Sequence, residues 1–150
     1  MRAPPEVRLD RFQRLLERVS YESANGGLIV VEGPKDRDSL RRLGIAGRIR
    51  CMQNSGRNTV GFVEELTGEE DVIVLTDFDR QGVRLAKRLV RLLNAQKVRA
   101  NLILWRDLRR LTRSDVRSVE ELPKFLERLQ NEVLGKGYIP DARKGFEGVF

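Results

Sequence analysis

Three carboxylates in this chain stand where apolar runs stop. Glu32 closes the run in "LIVVEGPKD" (28–36), and Asp77 and Asp79 close the run in "VIVLTDFDRQG" (72–82). If the extended backbone persists through Asp79, side-chain alternation puts Asp77 and Asp79 on one face. Two carboxylates held together repel, so a positive group belongs beside them: a divalent cation, or Arg80. Mg²⁺ keeps several waters and takes one or two protein carboxylates plus substrate phosphates, a demand that such a pair meets. The chain has a single cysteine, Cys51, and no histidine. That composition excludes an intrachain disulfide, a Cys/His zinc site and Ser-His or Cys-His nucleophile pairs. Oxygen-only ligation favours Mg²⁺, with Mn²⁺ as the alternative.

Neighbouring residues fit a phosphate-handling crevice. Lys35 is placed to meet a phosphate in the turn after the first run, and Gly33 and Gly82 let backbone and ligand approach without a Cβ. A helix starting near Gln81 directs its amino-terminal amides toward the same place, and Asn54-Ser55-Gly56 could add donors. Each piece also has a purely structural reading. Asp-x-Asp is common in turns and caps, and Lys35 and Asp36 could simply cap and charge a following helix.

The elements that must position these groups alternate. Leu9, Phe12, Leu15, Leu16 and Val19 recur at helical spacing, predicting a helix over 5–22, broken by Asn25-Gly26-Gly27. Strands are predicted at 28–31, 47–53, 71–77 and 100–105, with helices at 36–43, 59–66 and from about 81. Ser118 and Glu121 read as a capping box opening a last helix that runs to about Leu134. The tail from 136 to 150 carries no assignment. Strands alternating with helices give an α/β domain with a mainly parallel sheet and a site beyond the carboxyl ends of its strands. The division expected is an N-terminal helix and linker (1–26), the α/β domain (27–135) and the tail.

Charge is distributed unevenly. The formal net charge is +7, from 29 basic and 22 acidic residues. From Arg80 to Arg113 there are eleven basic residues against Asp107 alone, so this segment carries +10 and the remainder −3. Arg84, Lys87, Arg88 and Arg91 recur at i, i+3, i+4 and i+7, a basic stripe suited to a polyanion. A soluble, arginine-rich surface is the bland alternative. At 34% charged and 40% apolar residues the composition is that of a globular protein. No apolar run approaches the roughly 18 residues that span a bilayer. The opening "MRAPPEVRLDRF" lacks a secretory core, so the expectation is a cytoplasmic protein without membrane contact.

An apolar strand ending in Glu-Gly, followed by one ending in Asp-x-Asp and then a glycine, resembles the Toprim domain. That module is shared by DnaG-type primases, topoisomerases, OLD-family nucleases, recombination proteins of the RecR type and the ribonuclease that matures 5S ribosomal RNA. "TDFDRQG" is similar to the topoisomerase and maturase segments, and "SVEEL" (118–122) matches loosely a glutamate-bearing segment of maturase-like members. The resemblance covers roughly 27–125 and is greatest to small stand-alone Toprim proteins. It implies a Rossmann-like Toprim fold, a four-stranded parallel sheet with helices on both faces, plus the N-terminal helix. It further implies Mg²⁺ on Asp77 and Asp79, with Glu32 as general acid or base or as a third metal group.

A topoisomerase needs a nucleophilic tyrosine and a gate, but Tyr21 and Tyr138 lie outside the motifs. A primase needs zinc ligands that the composition lacks. The function expected is Mg²⁺-dependent hydrolysis or nucleotidyl transfer on the phosphodiesters of structured RNA or DNA, as a small nuclease. Arg80, Arg84, Lys87, Arg88, Arg91 and Lys35 would hold the backbone. The alternative is a non-catalytic metal- and nucleic-acid-binding module, with a protein partner in a larger complex. Phosphotransfer of the haloacid-dehalogenase kind fits less well, because its Asp-x-Asp normally follows the first strand.

Overall fold

The computed structural model describes residues 2–113 and 115–135, Asn54 by its backbone alone; Tyr138 and the 136–150 tail lie outside the described residues. Helix α1 (Pro5–Ala24) leads into β1 (Leu28–Val31), α2 (Pro34–Arg42), β2 (Ile49–Cys51), α3 (Thr59–Glu64) and β3 (Asp71–Val74). Then come α4 (Arg80–Ala95), β4 (Arg99–Asn101), α5 (Ile103–Thr112) and α6 (Leu122–Gly135). The four strands form one parallel sheet in the order β2-β1-β3-β4.

The expected α/β architecture is therefore present. Stepping from β1 out to β2 and then back across to β3 reverses the winding. With right-handed crossovers, α2 lies on one face and α3 and α4 on the other. Packing agrees: α1 lies against β3, α5 and α6, α2 against α6, and α3 against α4.

The sheet is dry because its central strands have no polar side. All four residues of β1 are buried, as are Val72, Ile73 and Val74 of β3. A continuous apolar run is the pattern of a strand covered on both faces. The N-terminal helix belongs to this core rather than to a separate body. Leu9, Phe12, Leu16 and Val19 are buried, and Phe12 meets Phe125 of α6 edge-on at 5.2 Å between ring centroids.

Several boundaries differ from the sequence expectation, and the fourth strand differs most. The run at 100–105 is not one strand: β4 ends at Asn101, whose Oδ1 accepts from the Ile103 amide (3.1 Å) and helps open α5. Leu104, Trp105, Leu108 and Thr112 are buried, a spacing of one to four residues that fits a helix face. A short apolar run does not distinguish the two periods, and here the basic residues after it belonged to the same helix. The third strand ends at Val74, although the Leu75 amide still donates to the Val30 carbonyl (2.9 Å). The Ser118–Glu121 capping expectation holds in part. Glu121 accepts from the Ser118 amide (2.8 Å) and hydroxyl (3.1 Å), but the turn that it closes is 3₁₀ (Val119–Glu121) and only then becomes α6.

Gly82 holds the amino end of α4 against the carboxyl end of β3. A Cβ there would stand 1.9 Å from the Asp77 carbonyl oxygen and 2.4 Å from its carbon. Both obstacles are backbone, so no rotamer change relieves them. Gly82→Ala is expected to lower unfolding free energy by about 3 kcal/mol, the upper part of the usual overpacking range. Gly135→Ala, where nothing lies within 4 Å, is expected to be near neutral. Urea denaturation followed by circular dichroism checks both.

Candidate metal centre

β1 and β3 are neighbours in register, Ile29 beside Ile73 and Val30 beside Val74. Their carboxyl ends therefore deliver Glu32 and Asp77 side by side at the point where the winding reverses. The contact is direct: the Asp77 amide donates to Glu32 Oε2 at 2.7 Å. A second amide comes from far along the chain, Val119 donating to Asp77 Oδ1 at 3.2 Å. Asp79 is the N-cap of α4, its Oδ1 accepting from the Gly82 amide at 2.7 Å. Asp36, buried in the first turn of α2, accepts from the Gly33 amide at 3.0 Å.

Four carboxylates are thus held by neutral backbone N–H groups, and among the described residues none of the four has an ion pair with Lys or Arg. Burial pushes the Glu32 carboxyl up, with further push from Asp36 and Asp79. Burial, then Glu32 and Asp36, raise Asp77 to about 7. Burial raises Asp36 as well, helped by Glu120. An unneutralised acidic cluster of this kind is the usual environment of a hard cation or of proton transfer.

The donors fit Mg²⁺ as an open site rather than a cage. Among the described residues no three His, Cys, Asp or Glu groups converge as a preformed metal cluster. Each of Glu32, Asp77 and Asp79 gives one oxygen to a backbone amide, and the Glu32 and Asp77 carboxyls also lie within hydrogen-bonding reach of each other. Mg²⁺ takes few protein carboxylates and completes its octahedron with water and phosphate, so two or three remaining oxygens suffice.

The other expected site residues fall differently. Arg80 is exposed and does not neutralise the aspartates. The space at Gly82 is occupied by the Asp77 backbone, and a Cβ at Gly33 would stand 2.6 Å from Gln53 Oε1. At Gly82 the chain itself fills that space, whereas at Gly33 the neighbour is the movable end of an exposed side chain. Lys35 is exposed at the start of α2, and Arg84, Lys87, Arg88 and Arg91 form an exposed stripe along α4. In the second turn, Ser55 spends its hydroxyl on the Met52 carbonyl (2.8 Å).

Two participants escaped the sequence reading. Asp36 was legible only as a cap, which it is; its charge on Glu32 and Asp77 comes from burial that no motif signals. The Val119 amide belongs to the loosely matched "SVEEL" segment, but a backbone donor leaves no mark in side-chain types.

A profile of the Toprim domain matches residues 27–104. A UPF0292 protein from Thermococcus kodakarensis is 31% identical over 113 residues, 75% of this chain and 84% of its own length. Another from Thermoplasma volcanium is 37% identical over 110 residues, 72% and 90% of the two chains. Among solved structures, a putative protein from Aquifex aeolicus aligns with a TM-score of 0.59 and 24% identity, covering 72% of this chain and 94% of that one, a likeness of fold alone.

Burial and the neighbouring carboxylates raise the Asp77 carboxyl of the folded chain from its ordinary 3.8 to about 7. The folded state then holds this proton more tightly, so the contribution of Asp77 to metal-free stability is fully present at low pH and is lost as pH rises from about 4 to about 7. Above that window the penalty is complete. Asp77→Asn is expected to flatten this slope and to stabilise the metal-free protein at pH 8 by about 2 kcal/mol, after a discount for the open side of the site. Added Mg²⁺ should stabilise the native chain at pH 8 and leave the variant unmoved. Thermal unfolding across pH, with MgCl₂ or EDTA, measures both.

Proposed function

This chain belongs to the Toprim domain family, and from that premise we propose that it is a small Mg²⁺-dependent enzyme acting on the phosphodiesters of RNA or DNA, most simply a nuclease. The family points to metal-dependent nucleic-acid processing in general, and Toprim domains generally bind divalent metals such as Mg²⁺. No helix among the described residues is long and apolar enough to cross a membrane.

The observation that carries the reading is the carboxylate cluster joined by the Asp77 amide and Glu32 Oε2 at 2.7 Å, held by backbone donors and lacking a cationic side chain. Asp77 and Asp79 would hold the cation through their remaining oxygens, with Glu32 beside them. A divalent ion bound there supplies a Lewis acid for a phosphoryl oxygen and a more acidic water. Glu32 is half-buried, and its raised carboxyl is suited to take a proton from the attacking water or to return one to the leaving oxygen at Oε1. The amino end of α4 faces this loop and favours an anion there. Lys35, Arg80 and the Arg84–Arg91 stripe are positively charged and exposed, able to hold flanking phosphates.

A second reading has one observation in its favour. Asp79 uses one carboxylate oxygen to cap α4, a structural role it would keep in a module that binds metal and nucleic acid without turnover.

The two readings separate with end-labelled structured RNA and DNA, incubated with the protein in Mg²⁺, Mn²⁺ or EDTA. Cleavage is expected with either metal and not with EDTA. Asp77→Asn with Asp79→Asn should abolish it. Glu32→Gln should slow it by about 100-fold or more, the usual share of a general acid–base group. Full activity of Glu32→Gln would remove that role from Glu32. Salt-sensitive binding with no cleavage in either metal would favour the non-catalytic module.

A further inference from the structure

Beside the carboxylates lies a crevice of about 400 Å³ whose lining is largely guanidinium: Phe78, Trp105 and Val116 form its apolar part, and Arg106, Arg109, Arg110 and Arg113 surround them. It is built onto the acidic loop itself. Phe78 sits between Asp77 and Asp79, and its carbonyl accepts from Arg109 Nε at 3.0 Å. The Trp105 indole N–H donates to the Thr76 carbonyl at 2.8 Å, one residue before Asp77. The Arg109 guanidinium lies 5.8 Å from the Trp105 ring centroid, and the Phe78 and Trp105 rings are 6.2 Å apart. Arg109 and Trp105 are thus fixed by the same loop that carries the carboxylates.

Arg106 and Arg110 are exposed and have no carboxylate partner among the described residues. Arg106 and Arg110, beside Arg109, keep a positive field at the crevice mouth that an entering anion would relieve. Planar, bidentate donors of this kind match phosphate oxygens better than they match chloride. Nor does the crevice end there. Arg110 and Arg113 also line a groove of about 790 Å³ between α5 and α1, to which Asp107, Arg11 and the ion-paired Arg2, Arg14 and Arg18 (with Asp115, Asp10 and Glu22) contribute. A free phosphate needs only the crevice, whereas a polyanion uses the whole track.

We propose that this crevice is a phosphate subsite for a nucleic-acid backbone, taking a phosphate next to the one at the carboxylates and passing the strand along the α5–α1 groove. The inference rests on the proposed function for the reaction at the carboxylates, but not for the binding itself. It assigns the α5 arginines, adjoining the site, a closer place on the substrate than the α4 stripe.

Trp105 is the chain's only tryptophan and forms the crevice wall, so its emission reports occupancy. The full chain, in EDTA, is titrated with a short RNA hairpin, with the DNA of the same sequence and with pyrophosphate. The native protein should show a saturable change with the hairpin or the DNA. Arg106→Gln with Arg110→Gln should weaken that binding at least about tenfold and reduce the slope of log affinity against log salt by about 1 to 2. Lys97→Asn with Arg99→Gln removes the same charge at the amino end of β4 and should stay within about twofold. Thermal unfolding verifies that both variants fold.

Loss of less than twofold in the crevice variant, or equal losses in both variants, would overturn the proposal. So would saturation by pyrophosphate without any response to nucleic acid. Binding without turnover when Mg²⁺ is restored would count against the proposed reaction and leave the crevice standing. Metal-dependent cleavage with an indifferent crevice variant would do the reverse.

Discussion

The hydrogen bond from the Asp77 amide to Glu32 Oε2, 2.7 Å long, sets most of what surrounds it. It joins residues 45 positions apart and exists only if β1 and β3 are adjacent and parallel with their ends level. In this sheet the chain reaches that adjacency by going out to β2 and returning across β1. The return makes the switch point, and the switch point opens the crevice where ligands of open α/β sheets bind. The apolar residues of β1 and β3 are therefore more than core filling. Their register delivers two carboxylates to one place.

The same bond explains the electrostatics. Neutral amides satisfy one oxygen each on Glu32, Asp36, Asp77 and Asp79 without cancelling their charge. Amides orient a carboxylate while leaving it available, whereas a salt bridge to Arg80 would have consumed it. The chain is rich in arginine, yet its arginines stand back from the cluster. They pair with acids elsewhere, as Arg48 does with Glu69 and Arg50 and Arg57 do with Glu65, or they line the crevice beside the loop. Segregated acidic and basic fields of this kind suit a bound cation flanked by a polyanion, because each then neutralises what the fold leaves uncompensated.

Much of this was legible in the residues, for physical reasons. β1 and β3 announced themselves by unbroken β-branched runs, and the carboxylates that end those runs could be located from sequence alone. The spacing of Glu-Gly and Asp-x-Asp carried the family. Three things were not legible. The "LILW" run has the composition of a strand, and only burial of Leu104, Trp105, Leu108 and Thr112 on one face reveals a helix. That misreading hid the crevice, because the α5 arginines gather on one side only when the segment is helical. Asp36 and the Val119 amide act through burial and backbone geometry, which side-chain patterns do not encode. Gly82 was noticed for the right reason, lack of a Cβ, but the space is filled by the Asp77 backbone rather than by a ligand.

The most direct test of the carboxylate centre is metal uptake itself. Mn²⁺ titrated into the full chain at pH 8 is followed by the paramagnetic resonance of the free ion, against the Asp77→Asn/Asp79→Asn variant. The result expected is saturable uptake that Mg²⁺ competes away and that the variant lacks. No uptake by the native chain, or equal uptake by both proteins, would mean that these carboxylates are a structural cluster and not a metal centre.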